Sequence, residues 1–262
     1  MARSGLRGYT AIDGADLSAL TAAKIRHVTK SVHIISMPPG CNSLDFLEPV
    51  GHVLERIVVT DWGCEDARIL ANFPALADID LLTTNLTYDV GLESAPALKR
   101  FIGQGSRFYR SAWRNPSVRE LGIDHASSDM LEAIAHPSLL TSLSHLSARN
   151  VDRLPAEFDS LQTFELHGAR EFDLASLAAT ISSLRFTSVK SFTNGDHLAQ
   201  LNKLRSIYFF DSGRVDSHSP WLSNLQIESG EVFGPPFPFR RSELNALDAA
   251  QRRRWRVSPG LD

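Results

Sequence analysis

From residue 29 onward the apolar positions follow one short template, apolar–x–x–apolar–x–apolar, which returns about every 20 residues. It reads LERIVV at 54, LADIDL at 76, LKRFIG at 98, VRELGI at 118, LQTFEL at 161, ISSLRF at 181, LRSIYF at 204 and LSNLQI at 222, with TKSVHI at 29 a poorer fit. The last three template positions alternate, the period of a strand with one buried face. A tetrapeptide with proline in second place stands at several repeats: FPAL (73–76), APAL (95–98), NPSV (115–118), HPSL (136–139) and later SPWL (219–222). Pro74, Pro96, Pro116 and Pro137 are 22, 20 and 21 residues apart. Each fixes φ and helps end the preceding segment at the same point of the repeat. Between 140 and 151 two registers compete, one starting at Leu140 and one at Leu143, and a one-residue bulge reconciles them.

The second half of several repeats carries apolar residues three and four apart, which predicts short helices. These are EDARILANF (65–73), SDMLEAIAHP (128–137), FDLASLAATI (172–181) and GDHLAQLN (195–202). Asp129, Asp173 and Asp196 stand where a carboxylate would meet free N–H groups of a first turn. Residues 1–28 hold an N-terminal capping helix, ADLSALTAAKIRHV (15–28). Residues 29–230 hold about ten repeats, and 231–262 form a C-terminal cap in which SELNALDAAQRRRW (242–255) reads as helix.

These repeats resemble the leucine-rich repeat family, whose unit opens L-x-x-L-x-L-x-x-N; LPAEFDSLQTFEL (154–166) reads like a join between two units. The resemblance covers roughly three-quarters of the chain. It implies an α/β, right-handed solenoid with parallel strands on the concave face and short helices on the convex face. The asparagine of the ninth position is missing: Trp62, Thr84, Ser106, Ala126, Ala169, Val189, Ser212 and Gly230 stand there. An irregular solenoid without an asparagine ladder is the expectation.

Composition narrows the function classes. The 262 residues carry 43% hydrophobic and 22% charged side chains, ample for a core, and a net charge of −3. Such a balance gives no general attraction to nucleic acid or anionic membrane. No apolar run nears the ~20 residues that span a bilayer. MARSGLRGYTAIDG lacks the apolar stretch of a secretory signal, which predicts a cytoplasmic location. The two cysteines, Cys41 and Cys64, exclude a disulfide scaffold and a thiolate zinc site, and are expected as buried free thiols.

Side chains at the third, fifth and seventh positions should face the concave surface. The fifth positions are Val58, Asp80, Ile102, Gly122, Glu165, Arg185, Tyr208 and Gln226. The seventh are Thr60, Leu82, Gln104, Asp124, His167, Thr187, Phe210 and Glu228; Asp78 and Asn224 are among the third. Tyr208 and Phe210 form an aromatic pair rimmed by Arg185, Glu165 and His167, the composition of a protein-binding hot spot unless segment 231–255 covers it. Asp78, Asp80 and Asp124 add an acidic patch; a D-x-D pair on a strand without a wrapping glycine loop makes a poor cation site. The nine histidines form no H-E-x-x-H, and His125, His145 and His167 come from successive units. Phosphate-loop, nucleophile-elbow and haem-attachment motifs are missing, and GQGSRF (103–108) is a turn signal, so no cofactor is implied. RRRWR (252–256) is the one dense basic run, read as a helix end with Trp255 packed back on the last coil.

The expectation is therefore a non-catalytic scaffold that binds a protein partner on its concave face. The alternative is a carbohydrate-active enzyme on a parallel β-helix, with Asp78, Asp80 and Asp124 as its carboxylates. Nucleic-acid binding through the Arg252–Arg256 segment is a third reading.

Overall fold

The computed structural model describes residues 10–13, 30–82, 84–217 and 221–258. They divide into two compact units, Met1–Asp124 with Ile134–His136 and His125–Ala133 with Pro137–Asp262. The helix expected over 15–28 lies outside the described residues.

Unit 1 contains β1 (Thr10–Ile12), β2 (Ser31–Ile34), β3 (Arg56–Val59), β4 (Asp78–Asp80), β5 (Arg100–Gln104) and β6 (Glu120–Asp124), each parallel to the next. The template residues enter the core as their spacing requires. Leu54, Leu76, Leu98 and Val118 are buried, as are Ile57, Ile79, Phe101 and Leu121. Three of the proline tetrapeptides, FPAL, APAL and NPSV, are β-turns. The N–H groups of Leu76, Leu98 and Val118 donate to the carbonyls of Phe73, Ala95 and Asn115 at 3.3, 3.4 and 3.3 Å. Proline sits at the second turn position, where its fixed φ suits the turn.

One outward position breaks the expected alternation. Ile102, paired with Asp80 and Gly122, is 1% exposed, and Val58 in the same row is buried too. The fifth-position row of unit 1 is thus covered at Val58 and Ile102 rather than solvated.

Part of the cross-coil bonding falls to residues that the template does not mark. The buried Asn115 side chain donates through Nδ2 to the carbonyls of Leu92 (2.6 Å) and Ala95 (2.8 Å) and accepts from the Ser117 N–H (2.7 Å). Gln104 donates to the carbonyls of Leu82 and Thr84 at 3.1 and 3.0 Å. Of the ninth-position residues, Thr84 is buried and meets Tyr109 Oη at 2.8 Å, and burial pushes the Tyr109 hydroxyl up to about 12. Asn115→Ala removes the donor from two buried carbonyls. A loss of about 2 kcal/mol is expected, read as a lower denaturant midpoint at unchanged slope.

Unit 2 contains β7 (Ser142–Ser147), β8 (Thr163–His167), β9 (Phe172–Asp173), β10 (Ser183–Thr187), β11 (Phe192–Thr193), β12 (Ser206–Phe210), β13 (Ser229–Phe233) and β14 (Trp255–Val257). β7, β8, β10, β12, β13 and β14 form one parallel ladder, while β9 and β11 form a second one, extended by a bridge from Phe192 to Val215. The two registers near 140 are both used. Leu143 pairs with Phe164 and Leu146 with Leu166, so β7 carries one extra residue between them.

Between the two ladders lies a cluster of buried phenylalanines. The ring of Phe186 is 6.2 Å from Phe164, 5.9 Å from Phe172, 4.8 Å from Phe192 and 5.6 Å from Phe209, centroid to centroid.

The last coils correct the expected register. LSNLQI is not a strand: Trp221–Asn224 is a helical turn, and the rung begins at Ser229, paired with Ser206. Asn224, Gln226 and Glu228 therefore lie before the strand. Gly230 is an inward fourth position under the Trp255 ring, where a Cβ would meet Cε3 at 2.4 Å. Segment 242–255 splits into helices Arg241–Asn245 and Ala249–Arg253, and Trp255 begins β14.

The expected helices are mostly short 3₁₀ segments of one or two turns, Arg68–Asn72, Leu174–Ser176 and Gly195–Gln200, with Ser128–Glu132 α-helical. A return segment this short closes i→i+3 bonds before an α-helix can nucleate. Asp173 caps its turn, accepting the Ala175 N–H at 2.9 Å. Asp129 and Asp196 stand in first turns, behind Ser127 and Asn194. The parallel β-helix alternative does not hold, because its coils would be nearly all strand and turn, whereas most return segments here contain a helical turn.

Candidate functional site

On unit 2, residues of one strand parity point away from the core, and the register lines them up in rows. Ser142, Thr163, Ser183, Ser206 and Ser229 form the first row, with the Ser206 hydroxyl donating to Ser183 Oγ at 3.0 Å. Glu165, Arg185, Tyr208, Glu231 and Arg256 form the second, and His167, Thr187, Phe210 and Phe233 the third.

The middle of this face is a chain of charged and aromatic contacts. His167 Nε2 lies 3.0 Å from Glu165 Oε1, which Arg185 Nε approaches at 3.9 Å. The Arg185 guanidinium lies over the Tyr208 ring at 4.5 Å. Tyr208 is 5.9 Å from the Phe233 ring, over which Arg256 sits at 5.6 Å. Phe210 is 39% exposed, so segment 231–255 does not bury it. That segment enlarges the aromatic surface instead, by supplying Phe233. A cation over an aromatic face holds the ring in one orientation and keeps the guanidinium near apolar surface. Side chains fixed in this way lose less rotamer freedom on association.

Five of the expected residues, Glu165, His167, Arg185, Tyr208 and Phe210, are brought together here. Phe233 and Arg256 were missed, although Phe233 follows Phe210 by 23 residues, the interval that separates Arg185 from Tyr208. Asp78, Asp80 and Asp124 belong to the other unit. Asp78 is ion-paired with Arg100 at 2.6 Å, and Asp80 Oδ1 accepts the Leu82 N–H at 3.1 Å. Asp80 also faces His33, whose pKa burial lowers against the opposing pull of that carboxylate. Asp78 and Asp80 thus have structural partners within their unit.

The remaining candidates resolve individually. Two of the four arginines of the basic run are committed to backbone: Arg252 donates to the carbonyls of Asn245 and Leu247 (2.6 and 3.1 Å) and Arg254 to that of Ile227 (3.0 Å). Trp255 packs edge-on against Phe239 at 5.3 Å. Cys64 is buried, and burial pushes its thiol up to about 12, whereas Cys41 is exposed, contrary to expectation. Cys41 follows the Pro38–Gly40 turn, where no later segment covers it. His125 is exposed at positive φ, and the side chain of His145 lies outside the described part of the structure. Among the described residues no three His, Cys, Asp or Glu side chains converge to hold a metal ion, and no helix is long and apolar enough to cross a membrane.

No family model matches the sequence, and no curated protein matches it. Among solved structures, the chain is similar to an internalin C2 from Listeria monocytogenes, at 15% identity over 80% of this chain and 83% of that one, with a TM-score of 0.47. It is also similar to a second internalin of that organism, at 12% identity over 77% and 72% of the two chains, with a TM-score of 0.40. By its own parallel ladders, its repeat of about 20 residues and its helical returns, each unit of this chain is an α/β solenoid of the leucine-rich-repeat kind.

Proposed function

We propose that the protein is a non-catalytic recognition scaffold that binds a protein partner through the strand face of unit 2. The observation that carries this reading is the group of rings Tyr208, Phe210 and Phe233 on two neighbouring rows, outward-facing, with Tyr208 and Phe233 braced by Arg185 and Arg256. Aromatic residues and arginine dominate interface hot spots, and a packed parallel ladder presents them already ordered. The partner's identity is a matter for experiment, beginning with affinity purification of the native chain.

The test is the double substitution Tyr208→Ala and Phe210→Ala. Hot-spot truncation costs about 2 kcal/mol or more, so any partner held here should bind at least ~30-fold more weakly. Both rings stand outside the core, so circular dichroism and the thermal midpoint should stay near wild type. Unchanged affinity for every specific partner, with the fold intact, removes this face from consideration.

A further inference from the structure

A second aromatic surface lies in the return segments of unit 1. Trp62 is 63% exposed and Tyr88 is 50% exposed, large apolar areas to leave in water. Trp62 occupies the turn Asp61–Cys64, where the Cys64 N–H donates to the Asp61 carbonyl at 3.3 Å and the Gly63 N–H to Asp61 Oδ1 at 2.8 Å. The same carboxylate accepts the Met37 N–H of the preceding coil. The turn is thereby closed by Asp61, and the ring at the template's ninth position stays outside. In the next coil the N–H groups of Asn85 and Thr87 donate to the carbonyls of Cys64 and Glu65 at 3.0 and 2.9 Å. Tyr88 therefore follows on the adjoining coil, just beyond Thr87.

The charge around these rings is one-sided. Residues 35–99 hold ten carboxylates against three lysines and arginines, net −7, within a chain of net −3, so the rest of the molecule is net positive. Asp45, Glu48, Glu65, Asp66, Asp89 and Glu93 all lie in these return segments. One internal contact shows what such a surface accepts. The Arg68 guanidinium lies 4.2 Å over the Tyr88 ring while its Nη2 donates to Asp66 Oδ2 at 2.6 Å. Among the described residues Trp62 has no ring or cation stacked on it.

We propose that this edge of unit 1 docks a basic segment of another protein, whose arginine or lysine side chains stack on Trp62 and Tyr88 between the carboxylates. The cation–π contact and the flanking carboxylate reproduce for a partner what Arg68 already does within the chain. The surface is separate from the strand face of unit 2 and does not depend on that reading.

The probe is a hexa-arginine peptide, titrated calorimetrically into the full chain at about 0.15 M salt, where long-range attraction is largely screened. Wild type should bind it, and a hexaglutamate peptide should not bind. The double variant Trp62→Ala, Tyr88→Ala should bind at least tenfold more weakly with an unchanged thermal midpoint, and the double variant Tyr208→Ala, Phe210→Ala should bind like wild type. If removing Trp62 and Tyr88 changes affinity less than twofold, attraction is merely Coulombic and the proposal is overturned. A loss in the Tyr208, Phe210 variant overturns it as well. So does concentration-dependent dimerisation abolished by Trp62→Ala, which would make a second copy the occupant.

Discussion

Phe186→Ala should lower the unfolding free energy of unit 2 by about 3–5 kcal/mol, the range for emptying a fully buried aromatic site. The ring touches four others, Phe164, Phe172, Phe192 and Phe209, which come from four different strands and both ladders of the unit. Its deletion leaves a cavity walled by rigid rings, and rings collapse into a gap less readily than flexible aliphatic chains. The edge-on contact with Phe192 at 4.8 Å, 70° between planes, adds quadrupole attraction that an aliphatic residue cannot restore. Phe186→Leu should therefore recover part of the loss. Denaturant unfolding followed by circular dichroism measures both variants; a loss under about 1 kcal/mol for alanine would mean that the cluster closes over the gap.

Gly213→Ala should be nearly as damaging, although it adds a single methyl group. The Gly213 N–H donates to the Val189 carbonyl at 2.7 Å, drawing two backbones together. A Cβ at this position would lie 1.7 Å from the Lys190 carbonyl oxygen. The obstacle is main chain, which no rotamer change can clear, so one coil must shift against the next. Destabilisation at the upper end of overpacking, about 3 kcal/mol, is expected. The neighbouring bridge between Phe192 and Val215 should loosen with it, visible as faster amide exchange of Phe192 and Asp216. Wild-type exchange at those amides, with an unfolding free energy changed by less than about 0.5 kcal/mol, would show that the coil yields freely.

Most of the strand architecture was legible because a half-buried strand has a short, strict period and because proline marks several of the turns. The bulge in β7 was legible too, since two overlapping registers in one stretch can be satisfied by one added residue. What failed did so where apolar spacing underdetermines backbone. Leu222 and Leu225 fit the strand template, yet three-residue spacing also suits a helical turn, and Trp221–Asn224 forms one. That single misreading displaced the last rung, hid Phe233 from Phe210 and misplaced Gly230. The second ladder of Phe172 and Phe192 escaped notice because a two-residue strand has no period of its own. Tyr208, Arg185 and Glu165 were assembled correctly because neighbouring rungs keep their interval. Trp62 lay in plain view at a ninth position, but a template position expected to be buried gave no hint of an exposed ring.

The rows on unit 2 also act as a ruler. Neighbouring parallel strands are about 4.8 Å apart, so a straight partner crossing them meets Glu165, Arg185, Tyr208, Glu231 and Arg256 at that interval. An extended peptide presents side chains on one side about every 6.6 Å and falls out of step after one row. An α-helix returns to the same face every 3.6 residues, about 5.4 Å, and so lags by only about 0.6 Å per row. The spacing of the coils thus selects for the secondary structure of whatever lies across them, before any side chain is compared.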